Sequence, residues 1–148
     1  MQDHLINILY VEDDEIETFW VKRSFEIMKI ANPLFIATNG AQALDLLRGT
    51  NGTKRMESLP GVILLDLYMP IINGIEFLKI LRADPILRIL NVFVVSINHE
   101  DKELVESHGL HVSNYLQKSI NVKRLMPAIA ALNSSWILCD DLSVVQKN

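Results

Sequence analysis

Apolar residues run along this chain in two rhythms. Mainly apolar stretches of strand length occur at Ile6 to Val11, Leu34 to Ala37, Val62 to Asp66 and Val92 to Ser96, with a briefer one at Asn114 to Leu116. Between them apolar positions recur at spacings near three and four, which predicts helices over 16–28, Ala41 to Arg48, Ile75 to Ala83 and Glu100 to His108. A last helix is expected from near Asn121 toward Trp136, kinked where Pro127 removes one hydrogen bond. In the first helix Ile16, Phe19, Trp20, Phe25 and Met28 read as the stripe that faces the core. Breakers fall where the rhythm changes: Asn32-Pro33, Asn39-Gly40, Gly49 and Gly109. The stretch from Gly49 to Pro60 reads as an exposed, inserted loop. Strand alternating with helix predicts a parallel sheet covered on both faces, joined by right-handed crossovers into an open doubly wound α/β fold. Ligands of such a sheet bind beyond the carboxyl ends of its strands, so the residues that end each apolar run deserve the closest reading.

Composition narrows the classes. With 148 residues, 49% hydrophobic and 22% charged, a single compact domain is expected over 1–132, with 133–148 as an extension of the last helix and a tail. A formal net charge of −4 and no basic cluster longer than a pair argue against a nucleic-acid surface. No apolar run approaches the ~20 residues that span a bilayer. The lone Cys139 cannot form an internal disulfide, and nothing resembles a secretory leader, so a cytoplasmic location is the expectation. His4, His99, His108 and His111 make no zinc spacing with it.

The strand ends carry the chemistry. Glu12-Asp13-Asp14-Glu15 follows the first run, and Asp66 ends the third, whose strand should lie beside the first. Two carboxylates ~4 Å apart repel by about 4 kcal/mol at an effective dielectric near 20, a cost that a shared proton or a bound cation removes. Hard oxygen donors favour Mg²⁺. Ser96 closes the fourth run and Lys118 follows the fifth, so carboxylates, a hydroxyl and an ammonium could surround a transferred phosphoryl group. Each of these residues taken singly also fits a solvated turn or cap.

In this order the segments Ile8-Leu9-Tyr10-Val11-Glu12-Asp13-Asp14, Leu65-Asp66-Leu67-Tyr68-Met69-Pro70 with Asn73-Gly74, Val95-Ser96 and Tyr115-Leu116-Gln117-Lys118 resemble the receiver domains of two-component response regulators, over Asn7 to about Leu132. The resemblance implies a flavodoxin-like, five-stranded sheet of order 2-1-3-4-5 with five helices. It implies a stand-alone signalling protein, not an enzyme beyond its own phosphorylation and dephosphorylation. Asp66 would take a phosphoryl group from the phosphohistidine of a sensor histidine kinase, with Mg²⁺ as cofactor. Asp13 and Asp66 would bind the metal directly, Glu12 through water and Tyr68 through its backbone carbonyl. Lys118 would pair with Asp66 or the phosphoryl oxygens, while Ser96 and Tyr115 would form the switch that reports the state to a downstream phosphotransfer or effector protein. The loop before the third strand and the tail with Trp136 look like regulators that partner phytochrome-type kinases.

A phosphatase of the haloacid dehalogenase type also uses an aspartate after a strand, but it wants an acid where Tyr68 stands. A flavin or nucleotide binder would need glycines in the acidic first loop. A receiver-like module that works without phosphorylation is a further alternative, against which the full acidic set and Lys118 argue. The chain departs from the receiver pattern at Ser119, where a proline is usual and the cis peptide expected there is in doubt, and at Ile97 beside the phosphoryl site. Ile97 and Tyr68 are expected to hinder attacking water and prolong the phosphorylated state. Trp136, Ile137, Leu138, Leu142, Val144 and Val145 lie beyond the last required element, and a homodimer through the last helix and tail is expected to cover them.

Overall fold

The structure, a computed structural model, describes residues 5–132. The expectations for Trp136 to Val145, for Cys139 and for His4 lie outside the described residues. Strands β1 (Ile8–Val11), β2 (Leu34–Ala37), β3 (Val62–Asp66), β4 (Val92–Ser96) and β5 (Asn114–Gln117) alternate with helices α1 (Glu15–Ile27), α2 (Gly40–Arg48), α3 (Gly74–Ala83), α4 (His99–Ser107) and α5 (Val122–Ala130). The sheet is five-stranded, all parallel, in the order β2-β1-β3-β4-β5. One element escaped the periodicity, a short 3-10 turn at Leu87–Ile89.

Alternation within the strands builds two cores. Leu9, Val11, Ile63, Leu65, Val92 and Val94 pack under α2, α3 and α4, against Leu47, Phe77, Leu81 and Val105. Ile8, Tyr10, Val62, Leu64, Phe93 and Val95 pack under α1 and α5, against Val21, Phe25, Leu125 and Ile129. Both faces of β1, β3 and β4 are thereby buried, which is why their sequences are continuously apolar. Helix starts are set by side-chain caps at Asp14, Asn39, Asn73 and Asn121, and α2 ends at Gly49 in the left-handed region with φ 72°. Helix α5 passes through Pro127 to Ala130.

The expected core stripe of α1 is corrected by the structure. Thr18, Val21 and Phe25 face the sheet, whereas Ile16, Phe19 and Trp20 are 67%, 56% and 60% exposed, and Met28 lies past the helix end and is also exposed. Positions 16, 19, 20, 23 and 27 recur at helical spacing as faithfully as 18, 21 and 25, so periodicity offered two faces, and the shorter, less apolar one meets the sheet. Thr18 is accommodated there because its hydroxyl donates to the Glu15 carbonyl at 3.2 Å. Outside, the Phe19 and Trp20 rings shield one another edge to face with centroids 5.1 Å apart.

Candidate functional site

Parallel pairing in register carries the ends of β1, β3, β4 and β5 to one edge. Val11 lies opposite Leu65, Asp66 opposite Val95, and Ser96 opposite Gln117. The residues that follow therefore converge: Glu12 and Asp13 after β1, Asp66 ending β3, Ser96 ending β4, Lys118 after β5. Carboxylate oxygens of Glu12, Asp13 and Asp66 all lie within 4.8 Å of one another. Glu12 and Asp66 are buried, while Asp13 is exposed at the rim.

The Lys118 ammonium bridges the two buried acids, its Nζ 3.4 Å from Glu12 Oε1 and 3.4 Å from Asp66 Oδ2. Its own backbone N–H donates to the Ser96 carbonyl at 2.8 Å, which seats the lysine against the end of β4. Asp66 Oδ1 accepts the Tyr68 N–H at 3.2 Å, and Glu12 Oε2 accepts the Asp14 N–H at 3.1 Å. The Tyr10 hydroxyl donates to Glu12 Oε1 from below at 3.5 Å. One cation facing two buried carboxylates and a third at the rim leaves the site negative. Burial first, then the Asp66 carboxylate, push Glu12 from 4.5 up to about 7, against the pull of the Asp14 N–H and Lys118. Burial lowers Lys118, but Asp66 and Glu12 outweigh it and hold the ammonium above its ordinary value.

Backbone approach behind Asp66 is unusually close. A Cβ on Gly74 would sit 2.5 Å from the Leu67 Cα and 2.7 Å from the Asp66 carbonyl oxygen, so only glycine lets α3 start directly behind the acid. Within the intervening loop Ile71 takes φ 69°, a left-handed conformation that a β-branched residue rarely adopts. The Asn73 capping box then starts α3, the Asn73 side chain accepting from Glu76 N and the Glu76 side chain accepting from Asn73 N. A cleft of about 530 Å³ beside the site is lined by Asp13, Tyr68, Met69, Pro70, Asn73 and Leu104.

All the sequence-predicted site residues except Tyr115 meet at this edge. Tyr115 stands on β5 one position before Leu116, half-buried toward α4, with the Lys102 ammonium 5.8 Å from its ring centroid. The Tyr68 hydroxyl donates to Asp101 Oδ1, on α4, at 2.6 Å. Every peptide bond among the described residues is trans, that from Lys118 to Ser119 included, and the Ser119 hydroxyl donates to Glu17 Oε2 at 3.0 Å. Sequence reasoning missed Asp101 and the Glu17–Ser119 contact. Both acids sit in charged stretches that read as solvated helix faces, and no spacing rule marks partners so far along the chain.

The family described as Response regulator receiver domain matches residues 8–130. Response regulator Rcp1 of Synechocystis sp. is 32% identical over 130 residues, 88% of each chain. Among solved structures, the bacteriophytochrome response regulator AtBRR superposes with a TM-score of 0.81 at 30% identity, covering 93% of this chain and 99% of the other. The Mn²⁺-bound form of Rcp1 superposes with a TM-score of 0.66 at 31% identity, covering 81% of this chain and 86% of the other.

Proposed function

Since the chain belongs to the response regulator receiver domain family, phosphoacceptor signalling proteins charged by histidine kinases, we propose that Asp66 is its acceptor and that it works as a stand-alone regulator in the cytoplasm. The observation that carries this reading is the convergence of Glu12, Asp13 and Asp66 on one point, with Lys118 bridging the buried pair. An Asp66 carboxylate oxygen attacks the phosphorus of a phosphohistidine, the P–N bond breaks as the O–P bond forms, and the imidazole leaves with the electron pair and takes up a proton. Lys118 faces Asp66 Oδ2 at 3.4 Å before the transfer and the new phosphoryl oxygens after it. Water then attacks the phosphorus, the Asp66 O–P bond breaks, and inorganic phosphate leaves the free carboxylate behind.

The donor set suits a hard divalent cation: three carboxylates whose oxygens lie within 4.8 Å, in a site where burial and then the Asp66 charge already raise Glu12. Asp13 and Asp66 would hold Mg²⁺, assisted by the Tyr68 carbonyl and, less directly, by Glu12. When bound, Mg²⁺ offsets the charge that the carboxylates and phosphoryl oxygens bring together. Ser96, at the end of β4, is the hydroxyl that reaches toward the phosphoryl group, and Tyr115 follows it as the switch.

The phosphodonor's docking face is the exposed stripe of α1. It starts at Ile16, two residues past the Asp14 cap that adjoins the acidic site, and continues through Phe19 and Trp20 to Ile27. A phytochrome-type kinase is the partner that similarity to AtBRR favours. Output passes to a downstream phosphotransfer or effector protein, and a homodimer through α5 and 133–148 buries the apolar residues of that segment. Intact mass after incubation with Mg²⁺ and acetyl phosphate tests the central claim. A gain of one base-labile phosphoryl group, lost in Asp66→Asn and on chelation, is expected; a gain that survives Asp66→Asn overturns it.

A further inference from the structure

Helix α4 stands over the edge of the site with little to hold it. Its buried side chains are Asp101 and Val105, and its N-cap Asn98 makes no side-chain capping bond. Nine residues make a helix that is marginal by itself, so what docks it is decided by those few contacts. One of the two is a carboxylate, 1% exposed, in the first turn where the helix dipole favours an anion.

Both oxygens of that carboxylate are used. Asp101 Oδ1 accepts the Tyr68 hydroxyl at 2.6 Å, and Oδ2 accepts the Ile97 N–H at 3.2 Å. Tyr68 belongs to the β3–α3 loop, and its own N–H is on Asp66 Oδ1. Ile97 is joined to Ser96 by one peptide bond. The carboxylate thus closes a ring that runs from Asp66 through Tyr68 to α4 and back through Ile97 to Ser96. The neighbouring residue, Lys102, lies over the Tyr115 ring, so the same helical turn reaches β5. A buried carboxylate held by two donors is stable in one geometry and costly in any other that leaves it unpaired.

We infer that Asp101 is a positioning residue: its carboxylate clasps the Tyr68 hydroxyl and the Ile97 amide, holds the β4–α4 segment in the unphosphorylated arrangement, and must release when Ser96 moves toward a phosphoryl group on Asp66. The inference rests on the receiver reading of Asp66 and adds the device that sets how readily the switch is thrown. A shift of the Ser96 backbone toward Asp66 draws the adjoining Ile97 amide away from Asp101. The clasp therefore makes contacts that differ between the two states, which is what a bias on their populations requires. One charge-assisted hydrogen bond present in only one state corresponds to about a tenfold bias.

The test uses the full chain, with Tyr68→Phe, which keeps the ring, and Asp101→Asn, which keeps the shape. Phosphoryl uptake from acetyl phosphate with Mg²⁺ is expected to quicken about tenfold in each. The double variant should be no faster than the quicker single one, because both remove the same link. Amide hydrogen exchange at Ile97 supplies a readout independent of phosphorylation: protected in the wild-type chain, it should exchange faster in Asp101→Asn and when beryllofluoride with Mg²⁺ fills the site. Unchanged uptake in Tyr68→Phe, or equal Ile97 protection in Asp101→Asn, overturns the clasp. A wild-type chain that takes up no phosphoryl group while Ile97 protection still depends on Asp101 would sink the receiver chemistry and the release step, whereas loss of the Ile97 dependence alone sinks only the clasp.

Discussion

Glu12 and Ile97 are the residues at which the site's physics is most exposed to measurement. An unfolded Glu12 titrates near 4.5 and the folded one near 7, so between these values the folded chain binds the extra proton. Metal-free protein should therefore keep this contribution below about pH 4.5 and lose stability as the pH rises toward 7, at up to about 1.4 kcal/mol per pH unit. Urea unfolding in chelator at several pH values checks this: a slope in the wild type that flattens in Glu12→Gln, and that saturating Mg²⁺ abolishes, is expected, and identical slopes would refute it. Ile97 is 69% exposed beside Ser96, so it is free to stand in the path of water instead of being committed to the core. Ile97→Ala should speed loss of the phosphoryl group several-fold by opening that path, measured as decay of the phosphorylated mass after the donor is removed. An unchanged decay rate would end the shielding idea.

At the scale of elements, two helix placements govern how the site is presented. Helix α3 starts against the backbone of Asp66 and Leu67, and the two atoms nearest a Gly74 Cβ are backbone atoms that cannot rotate away. Gly74→Ala should cost about 1–3 kcal/mol in spite of alanine's better helix propensity, and should slow phosphoryl uptake because Asp66 is displaced. Denaturant melts paired with intact mass decide it; a neutral substitution would show that the loop yields. Helix α1 presents the opposite case, an apolar face that stability does not need. Phe19→Glu should change unfolding free energy by no more than about 0.5 kcal/mol, leave uptake from acetyl phosphate as it was, and impair transfer from the cognate kinase. A large loss of stability would mean that this face is packed after all, and undiminished transfer would place the donor elsewhere.

For the whole molecule, the parallel order β2-β1-β3-β4-β5 is what turns four separated strand ends into one site. The dimer proposal belongs at this scale too: truncation after Leu132 should convert a dimer to a monomer in solution mass measurements, and an unchanged mass state would remove 133–148 from the interface. Strand positions, the acids that end them and Lys118 were legible in the chain, because a continuously apolar run that stops at a charge records burial on both faces followed by an edge. Asp101 was not legible as part of the site, and Gly74, although within the motif that follows Asp66, showed no physical reason for being glycine. One reads as a solvated helix acid, and the other as a loop glycine, until α4 and the β3–α3 loop are seen in contact. The same holds for α1, where Ile16, Phe19 and Trp20 repeat as regularly as Val21 and Phe25. The sequence by itself determined the elements, their alternation and the chemistry at the strand ends, since these follow from backbone periodicity and local charge. Only the tertiary structure decided which face of α1 is buried, what Asp101 holds and why residue 74 is glycine, since each depends on the distance between groups far apart along the chain, and no local repeat encodes that distance.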